Sequence, residues 1–374
     1  EGMAAVAAAL RPTDMAFLHY RDAAFQLARA DQIPGQTALW DMLLSFACSS
    51  EDPISGGRHK VLGSLALNIP PQTSTIASHL PKAVGAAYSI GLAGRISSEH
   101  QQMATDGLVM CSFGDASVNH STAQGAFNTA GWTAYQSVPL PLLFVCEDNG
   151  IGISTPTPKG WIAESFSNRP GLRYYHANGL DLYDTFATAQ RASEYVRSQR
   201  KPAVLHLKTV RLYGHAGADV PTSYMSRDKV EADEANDPLL HSVRLLQAAG
   251  AIEPQDALDI YIETQARVAR VAQQAVTRPR LKAAHQVMAS LIPPKRDWAL
   301  RNGPDETRRN AAFGTDAKAI TAPQPLSKIL NWALTDLMLD HPEVLHELSK
   351  SNTDLIIHIG GRLTSKHYYT FLND

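Results

Sequence analysis

Residues 108–158, LVMCSFGDASVNHSTAQGAFNTAGWTAYQSVPLPLLFVCEDNGIGISTPTP, hold two short apolar runs, each ending in acidic and turn-forming residues. Leu108–Phe113 and Leu140–Cys146 are rich in Val, Leu and Phe, with no polar alternation, as expected of strands buried on both faces. Between them residues 121–130 read as a helix. Strand, helix, strand in that order is the unit of a parallel sheet. Outward from it, residues 81–93 form a second predicted helix, opened by Pro81 and stopped at Gly94, and 181–199 a third. Ala203–Thr209 is a third buried strand. The predicted fold class is α/β, a doubly wound parallel sheet with helices on both faces.

Open parallel sheets bind ligands beyond the carboxyl ends of their strands, so the residues just after each strand matter most. The first run delivers Gly114-Asp115-Ala116-Ser117 just ahead of a helix starting near Asn119 to Ser121. Asp115 supplies a hard oxygen, and the amides after it suit an anion such as a phosphate. The second run ends in Glu147-Asp148-Asn149-Gly150, where an amide oxygen and a nearby carbonyl are again hard-cation ligands. Either segment alone is most simply a turn. Their pairing at neighbouring strand ends favours Mg²⁺ bridging a diphosphate. Neither a Gly-x-Gly-x-x-Gly nor a Gly-Lys-Ser/Thr phosphate loop competes for this role.

Bulk properties narrow the class. The chain has 374 residues with 34 basic and 36 acidic side chains interspersed, giving a net charge of -2 and no electrostatic case for nucleic acid or an anionic membrane. No apolar stretch reaches the roughly 20 residues of a membrane helix, and the first residues show neither a basic region nor a cleavage-like site. A cytoplasmic location, or alternatively a mitochondrial matrix one, is expected. Cys48, Cys111 and Cys146 have no metal-ligand spacing and read as reduced thiols. Asn119-His120-Ser121 matches a glycosylation pattern by chance.

Residues 254–291 carry a long helical pattern interrupted near Pro279. Residues 293–324 then turn polar and Pro-containing, as an exposed linker would. Leu326, Ile329, Leu330, Ala333, Leu334, Leu337 and Met338 come next at helical spacing.

The segment from Gly114 to Pro158 resembles the thiamine-diphosphate motif of alpha chains of 2-oxo-acid dehydrogenases, especially the branched-chain type: Gly-Asp-Gly, a spacer, then Asn-Asn. Tyr20-Arg21-Asp22, Gly57-Arg58, the run Ser78 to Tyr88, and Arg211-Leu-Tyr-Gly-His-Ala-Gly-Ala-Asp219 also match, so the resemblance covers about residues 15–290. It implies thiamine diphosphate and Mg²⁺ as cofactors. Asp115, Asn149 and the carbonyl of Ile151 would hold the metal, the amides of Ala116 and Ser117 the diphosphate. Tyr20, Arg21 and Ser74 would complete the anionic end, with His215 in an active-site loop. The implied reaction is oxidative decarboxylation of a 2-oxo acid, branched-chain preferred, with acyl transfer to a lipoyl group on an acyltransferase. Pyruvate or acetoin is the alternative substrate, and a catalytically silent assembly module the alternative class.

Some positions depart from the family pattern. Ala116 replaces the second Gly, and Asp148 the first Asn. Thr73-Ser74-Thr75-Ile76-Ala77-Ser78-His79 differs from the Ser-Ser-Pro-Leu-Ala-Thr-Gln run that binds a monovalent cation in some relatives, and Ala216 stands where mitochondrial relatives are phosphorylated on Ser. Residues 323–343 resemble the opening of a beta chain, but no Gly-Glu-Asp comes after them and the surroundings of Glu347 do not match the activating glutamate. The expected organisation is an alpha-type domain over 1–292, a linker over 293–324 and an incomplete beta-type start over 325–374. Such a chain needs a beta-type partner.

Overall fold

The computed structural model describes residues 2–72, 74–95 and 103–291, with 307, 310, 311 and 329 besides. Backbone contacts gather the chain into two units, Glu1–Val287 and Met288–Asp374. The first holds the sheet and its helices. The expected linker and beta-type start lie outside the described residues, apart from those isolated positions.

Five strands form a parallel sheet: β1 (Met15–Phe17), β4 (Val109–Gly114), β5 (Leu142–Asp148), β9 (Ala203–Lys208) and β8 (Arg173–Asn178), in that spatial order. Two small antiparallel hairpins complete the numbering, β2 (Leu62–Ser64) with β3 (Ile69–Gln72), and β6 (Ile151–Gly152) with β7 (Thr155–Pro156). The helices are α1 (Gly2–Ala9), α2 (Ala23–Ala30), α3 (Ala38–Phe46), α4 (Leu80–Arg95), α5 (Ser121–Tyr135), α6 (Trp161–Phe166) and α7 (Leu182–Gln199), with further helices over Arg227–Glu234, Pro238–Ala248, Pro254–Ala275 and Ala284–Met288.

The three predicted strands are β4, β5 and β9, and they sit side by side at the centre. Their side chains alternate between two cores. Val109, Cys111, Phe113, Leu142, Phe144 and Cys146 pack with residues of α4, α5 and α6. Met110, Leu143, Val145, Leu205 and Leu207 pack on the other face with α1, α2 and α7. Burial on both faces is why these strands carry no polar alternation. Phe113, Phe127, Phe144 and Phe166 interlock edge to face in the first core, with Phe127 centred 5.0 Å from Phe144 and 4.9 Å from Phe166.

The sheet's other two strands carry too little sequence signal to be predicted. β1 has three residues, and β8, at the opposite edge, is largely polar with half of its residues exposed. Two expected boundaries are also corrected. Gly94 does not stop α4, which continues to Arg95, since an isolated glycine weakens a helix without breaking it. α5 runs on to Tyr135 rather than ending at 130. The interruption expected near Pro279 is present, between the helices Pro254–Ala275 and Ala284–Met288.

Candidate active site

Gly114 of β4 is in register with Glu147 of β5, so Asp115 and Asp148-Asn149 leave neighbouring strands at the same level. Local hydrogen bonds fix the course of the chain beyond each strand. Asp115 opens a turn of 3-10 helix, Asp115–Ser117, whose first amides have no helical acceptor of their own. The Asp148 Oδ1 accepts the Gly150 amide (3.0 Å) and Asn149 Oδ1 the Ile151 amide (3.0 Å), two successive Asx turns. Gly150 takes φ +78°, a conformation that costs glycine nothing.

The β6–β7 hairpin then folds back onto the 3-10 turn. Thr157 donates its hydroxyl to Asp115 Oδ2, and its amide bonds the Gly150 carbonyl at 2.9 Å. A Cβ built on Gly152 would lie 2.4 Å from the Ala116 methyl. The alanine that replaces the family's glycine therefore rests against a residue that has no side chain. Burial, then the charge of Asp148, raises the Asp115 carboxyl above its ordinary value, opposed by the Thr157 hydroxyl.

Asp148 itself faces away from this pair. Its Oδ2 lies 2.9 Å from His206 Nε2, and Tyr174 Oη lies 2.8 Å from His206 Nδ1. Lys208 donates to Asp148 Oδ1 at 3.1 Å. Burial disfavours ionisation of Asp148, but His206 and Lys208 outweigh it and leave the carboxyl below its usual range. The acid in place of the family's first Asn thus serves as a brace between β5 and β9.

From the other side of β4, the chain leaving β1 contributes His19, Tyr20 and Arg21. Arg21 Nη2 lies 2.7 Å from His215 Nδ1 and donates to the His215 carbonyl at 3.3 Å. A guanidinium can only donate, so Nδ1 accepts and the imidazole proton resides on Nε2. Burial, then the cations Arg21 and Arg211, lowers the His215 pKa. The loop carrying His215 is tied down by Asp219, which accepts the His215 amide (2.6 Å) and the Tyr224 hydroxyl (2.7 Å). Arg211 spans from Tyr224 Oη (2.6 Å) to the Ile153 carbonyl (2.7 Å), joining that loop to the hairpin.

These segments enclose a cavity of about 430 Å³, within the range of small-molecule sites. Of the residues singled out from sequence, Tyr20, Arg21, Asp115, Ala116, Ser117, Asn149, Ile151 and His215 all line it. Ser74 does not. It is exposed, and from its segment the wall receives Ile76 instead. Sequence reasoning assigned no role to His19, Glu147 or Thr157. The first adjoins the Tyr20-Arg21 motif and the other two fall within residues 108–158, but only the fold shows what each meets.

Residues 2–284 match the family model described as dehydrogenase E1 component. The chain belongs to that family. It is 30% identical over 275 residues to the 2-oxoisovalerate dehydrogenase subunit alpha of Bacillus subtilis (strain 168), covering 72% of this chain and 77% of that one. To the mitochondrial 2-oxoisovalerate dehydrogenase subunit alpha of Caenorhabditis elegans it is 25% identical over 312 residues, covering 82% and 67%. To the human mitochondrial counterpart it is 23% identical over 280 residues, covering 73% and 58%. As a dehydrogenase E1 component the chain is an enzyme of the 2-oxo-acid dehydrogenase type, with the thiamine-diphosphate dependence of that family. No helix among the described residues is long and apolar enough to cross a membrane.

Proposed function

We propose that this E1 component takes part in oxidative decarboxylation of a branched-chain 2-oxo acid, with Mg²⁺ and the cofactor diphosphate anchored on the wall formed by Asp115, Asn149 and Ile151. The observation that carries this reading is the shared level of the β4 and β5 ends, from which the hairpin returns to place Thr157 on Asp115 and Gly152 against Ala116. The donor set fits the metal: a carboxylate, an amide oxygen and a backbone carbonyl are hard oxygens, and Mg²⁺ prefers them together with phosphate oxygens. A buried Asp115 beside Asp148 is also a place where a cation relieves an unfavourable charge. The substrate class rests on the names of the relatives.

Within that assignment each residue has a separate task. The amides of Ala116 and Ser117 bind phosphate oxygens at the open start of the 3-10 turn. Arg21 and Tyr20 add a cation and a hydroxyl from the β1 side. His215, its Nδ1 engaged by Arg21, holds a proton at Nε2 and donates it as a hydrogen bond to an anionic oxygen. Thiamine diphosphate, when bound, supplies the carbon nucleophile and the electron sink that loss of CO₂ requires. The chain positions that group. A beta-type chain completes the site, and a lipoyl-bearing acyltransferase receives the acyl group.

The test is binding followed by turnover. Thiamine diphosphate should bind the full chain with Mg²⁺ and not after chelation, and Asp115→Ala should abolish binding while preserving the fold. With a beta-type chain and an artificial electron acceptor, 3-methyl-2-oxobutanoate should be consumed faster than pyruvate. Binding independent of both Mg²⁺ and Asp115 rules out the anchoring; a preference for pyruvate rules out the substrate class.

A further inference from the structure

The β6–β7 hairpin turns through only two residues, Ile153 and Ser154, because Gly152 pairs with Thr155 on either side of them. Ile153 takes φ +55°, while Ser154 keeps a negative φ. A two-residue turn with positive φ at its first position alone ordinarily carries glycine there. Ile153 instead brings a β-branched side chain into the left-handed region, where its Cβ crowds the backbone at a cost in stability. Of the six non-glycine residues with positive φ among those described, Ile153 alone is β-branched and alone lines the cavity.

Packing does not offset that cost, since the residue is 54% exposed. The bonds around it hold the backbone in place. Arg211 Nη1 donates to the Ile153 carbonyl at 2.7 Å, Gly152 abuts Ala116, and the Thr157 amide donates to the Gly150 carbonyl at 2.9 Å. A strained residue that is held by its neighbours, gains nothing from the core and borders a cavity points to a contact made only when the cavity is filled.

We infer that Ile153 is a ligand-contacting residue, kept in its strained turn so that its side chain meets an apolar group of the molecule bound in the cavity. Its backbone lies two residues, about 7 Å of extended chain, from the Ile151 carbonyl assigned to the metal. Two ligands offer such a group, the ring system of thiamine diphosphate and the branched side chain of the 2-oxo acid. The inference rests on the reading that this cavity holds them.

Urea titration of the cofactor-free full chain reads the strain without any ligand. Ile153→Asn, which accepts positive φ, should raise the folding equilibrium constant about 5- to 30-fold. Ile153→Gly should raise it less, because glycine also frees the unfolded chain, and Ile153→Val should leave it near the wild type. Calorimetry with Mg²⁺ and thiamine diphosphate, and turnover of 3-methyl-2-oxobutanoate against pyruvate with a beta-type chain, read the contact. In both stabilised variants one of two quantities should fall about fivefold or more. It is the cofactor affinity if Ile153 meets the ring, and the kcat/KM preference for the branched substrate if it meets the side chain. Ile153→Val should keep both within about twofold. Stabilised variants with cofactor affinity and substrate preference both intact would make the strain incidental and overturn the inference, as would glycine and asparagine variants no more stable than the wild type. A wild-type chain that binds no cofactor defeats the proposed function, and this inference with it, before any variant is made.

Discussion

The Ala116 methyl and Gly152 touch so closely that a Cβ on residue 152 would lie 2.4 Å from the Ala116 Cβ. The 3-10 turn after β4 and the hairpin after β5 are therefore fitted to each other at one carbon atom. A methyl added at Gly152 has no room, because its neighbour is a short side chain fixed to backbone. Gly152→Ala should push the hairpin off the turn, cost about 1–3 kcal/mol of stability, and weaken Mg²⁺-dependent thiamine diphosphate binding at least about tenfold, or 1.4 kcal/mol. The double variant Ala116→Gly/Gly152→Ala moves the methyl to the other side of the contact and should restore most of both. Urea titration and calorimetry measure the two effects. Equal defects in the single and double variants would show that the contact is not the cause.

Arg21 and His215 give a second prediction. Arg21 donates to Nδ1 and adds positive charge beside the ring, second only to burial in lowering its pKa. Arg21→Met should raise the His215 pKa towards the ordinary 6.5 without restoring it fully, since burial and Arg211 remain. Proton NMR titration of the imidazole, assigned through His215→Gln, reads the shift. A pKa that falls or stays fixed contradicts the geometry.

Asp219 sets an acid limit on the same loop. The Tyr224 hydroxyl, then the His215 amide, hold its carboxyl below the ordinary 3.8. A depressed carboxylate stabilises the folded loop above its unfolded pKa, and the contribution fades as pH falls through the folded value. Protection of the His215 amide from hydrogen exchange should therefore persist down to about pH 4 and decline below it. In Asp219→Asn the protection should be weak at every pH. Acid sensitivity equal to the wild type in Asp219→Asn assigns the effect to another group.

Phe127 tests the core beneath the site. It is fully buried against Phe113, Phe144 and Phe166. Phe127→Ala should destabilise the chain by about 3–5 kcal/mol, visible as a lowered denaturant midpoint, while Phe127→Leu should cost markedly less. Similar midpoints for the two would show that the cavity term is absent.

Much of the fold was legible because its signals are local. β4, β5 and β9 each hold an apolar run without polar alternation because both of their faces are buried, and that needs no knowledge of neighbours. Their polar endings, Gly114-Asp115 and Asp148-Asn149-Gly150, identify carboxyl ends by turn chemistry alone. Edge strands such as β8 lack one neighbour, and with it the continuous apolar run that marks a strand.

By itself, then, the sequence determined the class of fold and eight of the residues that line the cavity: local periodicity and turn preferences act within a few residues of where they are read. Tertiary structure alone decided which distant residues meet. Arg21 reaches His215, Ala116 abuts Gly152, and Asp22 faces Glu147 because the strand order places β1, β4 and β5 side by side. Such pairings leave no periodic trace along the chain. They arise from the packing of whole strands, which is also why Ser74, near in motif, stands apart from the cavity while His19 lines it.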